Sequence, residues 1–104
     1  MARGRRARQR DLAYQRVQRL LSLALEMARE DMKLARRMAA IAWRMKLRYT
    51  LRLPWELRRL YCRGCKGFLV PGVNARVRLG GRPPSLKITC LDCGHIYRRP
   101  IRAG

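Results

Sequence analysis

The chain has 104 residues, 26 of them basic and six acidic, for a formal charge of +20. A core this small needs a staple or a partner. The self-repulsion rules out a mixed-sign network surface, which would require many more carboxylates, and calls for a polyanion. No stretch approaches the ~20 apolar residues of a membrane span, and no lipidation motif or secretory signal is present, so the chain reads as intracellular and cytoplasmic.

Residues 1–10 contain Arg3, Arg5, Arg6, Arg8 and Arg10 and are expected to form a disordered basic arm. From Asp11 a helical period sets in: Ala13, Val17, Leu20, Ala24 and Met27, then Leu34, Met38, Ile41 and Met45. Residues 11–49 contain neither Gly nor Pro. Asp11 is expected to cap a first helix and Glu30-Asp31 a second, with a turn near residues 29–32. A single kinked helix is the alternative. The second segment carries further apolar residues, Ala40, Trp43 and Leu47, on another side. The zinc-type module described next, a second copy or a separate protein could cover that face. Leu20, Met27, Leu34, Met38, Ile41, Trp43 and Met45 are therefore the expected partner-binding residues of a helical region over 11–52.

Leu53-Pro54 ends the helical region, because Pro54 has no amide hydrogen and biases Leu53 towards extended geometry. Residues 53–104 then read as a linker and a second module. This half holds two Cys-x2-Cys pairs, Cys62/Cys65 and Cys90/Cys93, separated by 24 residues. Such spacing brings four thiolates to one tetrahedral ion in a zinc ribbon. A disulfide pair or a rubredoxin-like iron site are the competing chemistries. Each pair is followed by a glycine, Gly67 or Gly94, expected to turn the backbone so that amides point at sulfur. Phe68–Val70, Ala75–Leu79, Leu86–Thr89 and His95–Arg99 read as short strands between turns. His95 is surplus to a site already filled by four thiolates. The fold class is α+β: two N-terminal helices followed by a four-cysteine ribbon of short antiparallel strands.

One closed structural zinc has no open position for water or substrate, so it supplies fold and not chemistry. The six carboxylates, Asp11, Glu26, Glu30, Asp31, Glu56 and Asp92, are scattered along the chain, and no base, nucleophile and orienting group fall together. Binding has far more material. Of the 26 basic residues 22 are Arg, whose planar fork grips phosphate bidentately and stacks on bases, which favours RNA or DNA. Arg48, Arg52, Arg58, Arg59, Arg63, Arg76, Arg78, Arg98 and Arg99 flank the cysteine pairs or the helix end and are the expected contacts. No helix-turn-helix or base-reading zinc-finger pattern appears, so recognition by shape is expected.

The order of parts is paired helices, Arg52-Leu-Pro54, Glu56-Leu-Arg-Arg59, Cys62-x2-Cys65, Leu69-Val-Pro-Gly72, an Arg76-Val-Arg78 strand, Thr89-Cys90-x2-Cys93-Gly94 and Arg98-Arg-Pro100. From about residue 12 to 101 it resembles the archaeal ribonuclease P protein component 4 family. The resemblance implies a non-catalytic zinc-ribbon subunit of a ribonucleoprotein that removes the 5′ leader from precursor tRNA, with catalysis carried by the RNA. It implies binding to the specificity region of that RNA beside a β-barrel protein subunit, met through the N-terminal helices, and only indirect contact with precursor tRNA. The four cysteines carry over as zinc ligands, and Arg58, Arg59, Arg78 and Arg98 or Arg99 match basic positions. The arginine arm lies outside the pattern. A zinc-ribbon accessory subunit of transcription or translation machinery is the alternative expectation.

Overall fold

A computed structural model describes residues 2–101. Six elements run in order: α1 (Ala2–Met27), α2 (Met32–Arg48), the single-turn α3 (Trp55–Arg58), β1 (Ala75–Gly80), β2 (Ser85–Cys90) and β3 (Ile96–Pro100). The chain divides between Leu60 and Tyr61 into two compact units, so the boundary lies eight residues beyond the expected one at 52/53. No helix among the described residues is long and apolar enough to cross a membrane.

In the first unit, α1 and α2 pack against each other as a helical hairpin. Asp31 opens α2, its side-chain Oδ1 accepting from the Leu34 amide at 3.0 Å. That bond satisfies one of the four amides a helix start leaves unpaired. The turn before it is closed by the Glu30 and Asp31 amides, which both donate to the Met27 carbonyl. Asp11 caps nothing, however, because α1 already begins at Ala2, within the segment expected as an arm. Arginine is a good helix former, and nothing between Gly4 and the turn breaks the run. Met1 lies outside the described residues.

The seam of the hairpin is made mostly of small residues, with Val17 and Leu21 of α1 the larger ones. Ala13, Val17, Leu21, Ala24 and Ala28 of α1 and its turn, and Ala35, Ala39 and Ala42 of α2, are all at most 4% exposed. Methyl groups let two helices approach to about 8 Å, the close end of helix packing. The expected stripe of α2, Leu34, Met38, Ile41 and Met45, thus lies one residue before the buried row. Leu34 and Ile41 stay 36% and 45% exposed. In an antiparallel right-handed pair, residues one position before each seam fall on the same side. Leu20, Leu23 and Met27 therefore share one broad apolar face with Leu34, Met38, Ile41 and Met45, while Trp43 and Leu47, one position after the seam, lie on the opposite side.

The second unit is a three-stranded antiparallel sheet in the order β1-β2-β3. Its register pairs Arg78 with Lys87 and Lys87 with Arg98. Buried Cys62, Leu69, Ala75, Ile88 and Cys90 form the core, with half-buried Tyr97 against them. Phe68–Val70, expected as a strand, is buried but makes no ladder. Among the described residues its one bridge is Tyr61 to Phe68, with another from Pro71 to Ala75 just beyond it. The chain turns at Pro71-Gly72 too soon for a second pair.

Candidate metal centre and nucleic-acid interface

The two cysteine pairs fold into near copies of one local structure. In the first, the Cys62 amide donates to the Gly67 carbonyl and the Lys66 amide to the Cys62 carbonyl. In the second, the Cys90 amide donates to His95 and the Gly94 amide to Cys90 in the same pattern. The residue after the second cysteine is left-handed in both, at φ +62° for Lys66 and +80° for Gly94. At the first knuckle it is therefore Lys66 that holds the turn conformation assigned from sequence to Gly67. Gly67 serves close approach instead, since a Cβ there would lie 3.3 Å from the Cys65 sulfur.

The four sulfurs converge. All lie within 4.8 Å of one another, with Cys62 to Cys93 at 3.5 Å and Cys65 to Cys90 at 3.9 Å. These separations bracket the edge of about 3.8 Å that a tetrahedron with 2.3 Å metal–sulfur bonds requires. They are far longer than a disulfide, and all four cysteines are free thiols. Cys62 and Cys90 are buried, whereas Cys65 and Cys93 face solvent.

Backbone amides aim at the sulfurs: Gly64 and Cys65 donate to Cys62 Sγ at 3.2 and 3.4 Å, and His95 donates to Cys93 Sγ at 3.5 Å. The His95 amide and neighbouring thiols draw the Cys93 thiol down to about 7, while burial pushes Cys90 up to about 12. A cation bound among them would supply what Cys90 lacks, because metal binding replaces the proton. The geometry, the amides and the all-thiol donor set fit a closed structural metal. His95 contributes only its amide to the cluster and packs against the first knuckle, where a Cβ on Gly64 would meet His95 Cβ at 2.9 Å.

Asn74 was not foreseen. This buried residue accepts from the Val70 amide at 2.7 Å through Oδ1, and through Nδ2 donates to the Phe68 carbonyl at 2.6 Å and Asp92 Oδ2 at 3.0 Å. Its carbonyl takes the Leu91 amide. One side chain thus ties the segment leaving the first knuckle to the loop of the second. The only sequence signal is an Asn closing the Pro-Gly-Val-Asn turn.

The expected nucleic-acid residues fall in both units. In the helical unit Arg48, Arg52 and Arg58 are exposed. Arg48 lies 5.5 Å from the Tyr49 ring centre. Arg59 is half-buried over Trp55 at 5.6 Å, its Nε without a hydrogen-bond partner. In the ribbon, Arg63 sits 4.9 Å over the Tyr97 ring. The sheet brings Arg76, Arg78 and Arg98 to one face, as strand alternation requires. Arg99 falls on the other face with Tyr97. Arg102 lies outside the described residues.

Of the expected partner-binding residues, Leu20, Met27, Leu34, Met38, Ile41 and Met45 share the open face of the hairpin, none of them fully buried. Trp43 is on the far side, with Lys46 Nζ 4.6 Å over its ring.

The profile of the RNAse P Rpr2/Rpp21/SNM1 subunit domain matches residues 16–94. Ribonuclease P protein component 4 of Methanopyrus kandleri is 45% identical over 92 residues, spanning 88% of this chain and 72% of its own. A chain in the cryo-electron microscopy structure of archaeal ribonuclease P with mature tRNA superposes at a TM-score of 0.75 with 40% identity, covering 86% of this chain and 77% of that one. A solved structure of Pfu Rpp21 gives 0.62 and 38%, covering 86% and 99%.

Proposed function

Because this chain belongs to the RNAse P Rpr2/Rpp21/SNM1 subunit family, we propose that its ribbon and its helical hairpin divide between them the RNA and protein contacts of a ribonuclease P subunit. The chain is a protein subunit of that tRNA-processing ribonucleoprotein, which removes the 5′ leader from precursor tRNA, and it is an accessory to the enzyme with no catalytic site of its own. The observation that carries this is the match, at 40% identity over most of both chains, to a chain in archaeal ribonuclease P with mature tRNA.

The metal is zinc, one ion held by Cys62, Cys65, Cys90 and Cys93. Four thiolates at tetrahedral separations suit it, and a site with no open position serves fold alone. The ion's part is to fix the two knuckles and, through Ala75 and Cys90 at the root of the sheet, the strands that present Arg76, Arg78 and Arg98. Those arginines, with Arg48, Arg52, Arg58, Arg59, Arg63 and Arg99, contact the specificity region of the catalytic RNA mainly through phosphates. Precursor tRNA is reached only indirectly.

The open hairpin face from Leu20 to Met45 receives a β-barrel protein subunit of the same enzyme. Seven large apolar side chains on one face of a two-helix unit exceed what scattered surface residues account for. Their Met content suits a surface that adapts to its partner. Trp43, on the opposite side, extends the contact only if the partner wraps the hairpin. The particle works in the cytoplasm.

Reconstitution with the ribonuclease P RNA and the barrel subunit tests the assignment. Precursor-tRNA cleavage at limiting Mg²⁺ is expected to fall when this chain is omitted, and unchanged cleavage would overturn the reading. Metal analysis of the purified protein is expected to give one zinc per chain; stoichiometric iron would overturn the zinc assignment.

A further inference from the structure

Three cations stand in one row across the ribbon sheet. Arg78 of β1 is directly opposite Lys87 of β2, and Lys87 is directly opposite Arg98 of β3. Side chains in register on neighbouring strands point to the same face, and strands lie about 4.8 Å apart, so the row spans about 10 Å with no neutral residue inside it. Like charges directly opposite one another destabilise a sheet. Lys87, the middle member, faces a like charge on both sides, where a Glu would instead have made two attractions. Nothing in folding favours that choice.

The row borders an open cavity of about 540 Å³ at the β1–β2 hairpin, and Arg82 from the hairpin loop adds a fourth cation to it. The rest of the wall is Leu79, glycine, proline and Ser85, with neither a carboxylate nor an aromatic ring. Ser85 Oγ is engaged in donating to the Gly80 carbonyl at 3.3 Å, which helps close the loop. Gly81 takes a left-handed φ of +88°, a conformation that a residue with a Cβ adopts only at a cost. A cleft with four cations and no aromatic ring offers charge to an anion and no aromatic platform to a base, and stacking on its guanidinium planes does not distinguish one base from another. Five residue steps along β2, or about 17 Å, separate Ser85 at the cleft from Cys90 at the metal centre, so the two sites are distinct.

We infer that this cleft is a phosphodiester site, in which Arg78, Lys87, Arg98 and Arg82 hold successive backbone phosphates of folded RNA by charge and without reading base identity. The inference rests on the RNA-binding reading above. It goes further in assigning Lys87 and Arg82, neither of which the sequence pattern singles out, and in gathering them with Arg78 and Arg98 into one cleft. The uncompensated row is then a consequence of function: the repulsion is relieved when the polyanion arrives.

The test uses the full zinc-loaded chain and a transcript of the ribonuclease P RNA specificity region, with binding measured across a salt series. Lys87→Glu is expected to weaken RNA binding at least roughly tenfold near physiological salt while raising the thermal midpoint of the free protein, because the row's repulsion becomes attraction. A combined Arg82→Gln and Lys87→Gln variant is expected to lower the slope of log K against log salt by about 2, equally for transcripts of altered sequence. Wild-type affinity and slope in that variant would overturn the cleft while leaving RNA binding elsewhere intact. Failure of the wild-type chain to bind the transcript at all would instead sink the RNA-binding reading itself. If inorganic phosphate at micromolar concentration saturates the cleft and displaces no RNA, the ligand is a free anion and the backbone assignment falls.

Discussion

Removing the amide of Asn74 is expected to be among the most damaging single changes in the ribbon outside the cysteines. Asn74→Ala deletes three hydrogen bonds, at 2.7, 2.6 and 3.0 Å. Two of the partners are backbone groups of the buried residues Val70 and Phe68. A buried donor or acceptor left unpaired costs about 1–3 kcal/mol, and the third bond, to exposed Asp92, adds at most about 1 kcal/mol. The sum is about 2–7 kcal/mol, a range that reaches the whole stability of a small unit. Urea denaturation at fixed free metal reads it, followed through the thiolate-to-metal absorption of cobalt-loaded protein so that only the ribbon is reported. Free metal must be fixed because the ion itself stabilises by mass action. Asn74→Asp sharpens the reasoning. It keeps an oxygen for the Val70 amide but sets a second carboxylate oxygen against the Phe68 carbonyl and Asp92, so it should cost at least as much as Ala. A loss below about 1 kcal/mol for Ala, or a milder effect for Asp than for Ala, would refute the account of Asn74 as the tie between the knuckles.

Chelation of the metal or Cys90→Ser is expected to abolish ribbon tertiary signals while sparing most far-ultraviolet helicity, because α1 and α2 belong to the other compact unit. Complete loss of helicity would show that the units do not fold separately. Lys66→Gly should be neutral or stabilising by up to about 1 kcal/mol in thermal denaturation, since Lys66 holds a left-handed φ, whereas Gly94→Ala at the equivalent position should destabilise by about 1 kcal/mol. Ala39→Leu, at 1% exposure in the seam, should cost about 1–3 kcal/mol of hairpin stability, while Ile41→Ser, at 45%, should cost little and instead weaken capture of the barrel subunit in pull-down.

The sequence made some of this plain and hid the rest for identifiable reasons. Cysteine spacing is legible because a metal bond fixes distance, so two close pairs at this separation leave few geometries. The turn at Glu30-Asp31 is legible because capping is local chemistry. The buried row of α2 was not, because the rows Leu34-Met38-Ile41 and Ala35-Ala39-Ala42 share the same helical period. Hydrophobicity favours the first as core, but the short distance between helices selects the second. Asp11 reads as a cap only if the preceding arginines are not helical, and nothing local stops the helix there. Lys66 in a left-handed turn goes against residue preference and is imposed by the knuckle. The Arg78-Lys87-Arg98 row depends on strand register, which two loops set and no local pattern encodes.

The alanine seam has one further consequence. Because α2 contributes only methyl groups to the seam, against Val17 and Leu21 among the buried residues of α1, its backbone lies close on α1 and few side chains can change rotamer to alter the interhelical distance. That distance also spaces the two halves of the open apolar face, Leu20 to Met27 on one helix and Leu34 to Met45 on the other. The seam thus works as a spacer block for a surface it does not join. A larger residue buried there would move apart two rows of side chains it never touches, and a protein seated across both would register the change in its fit.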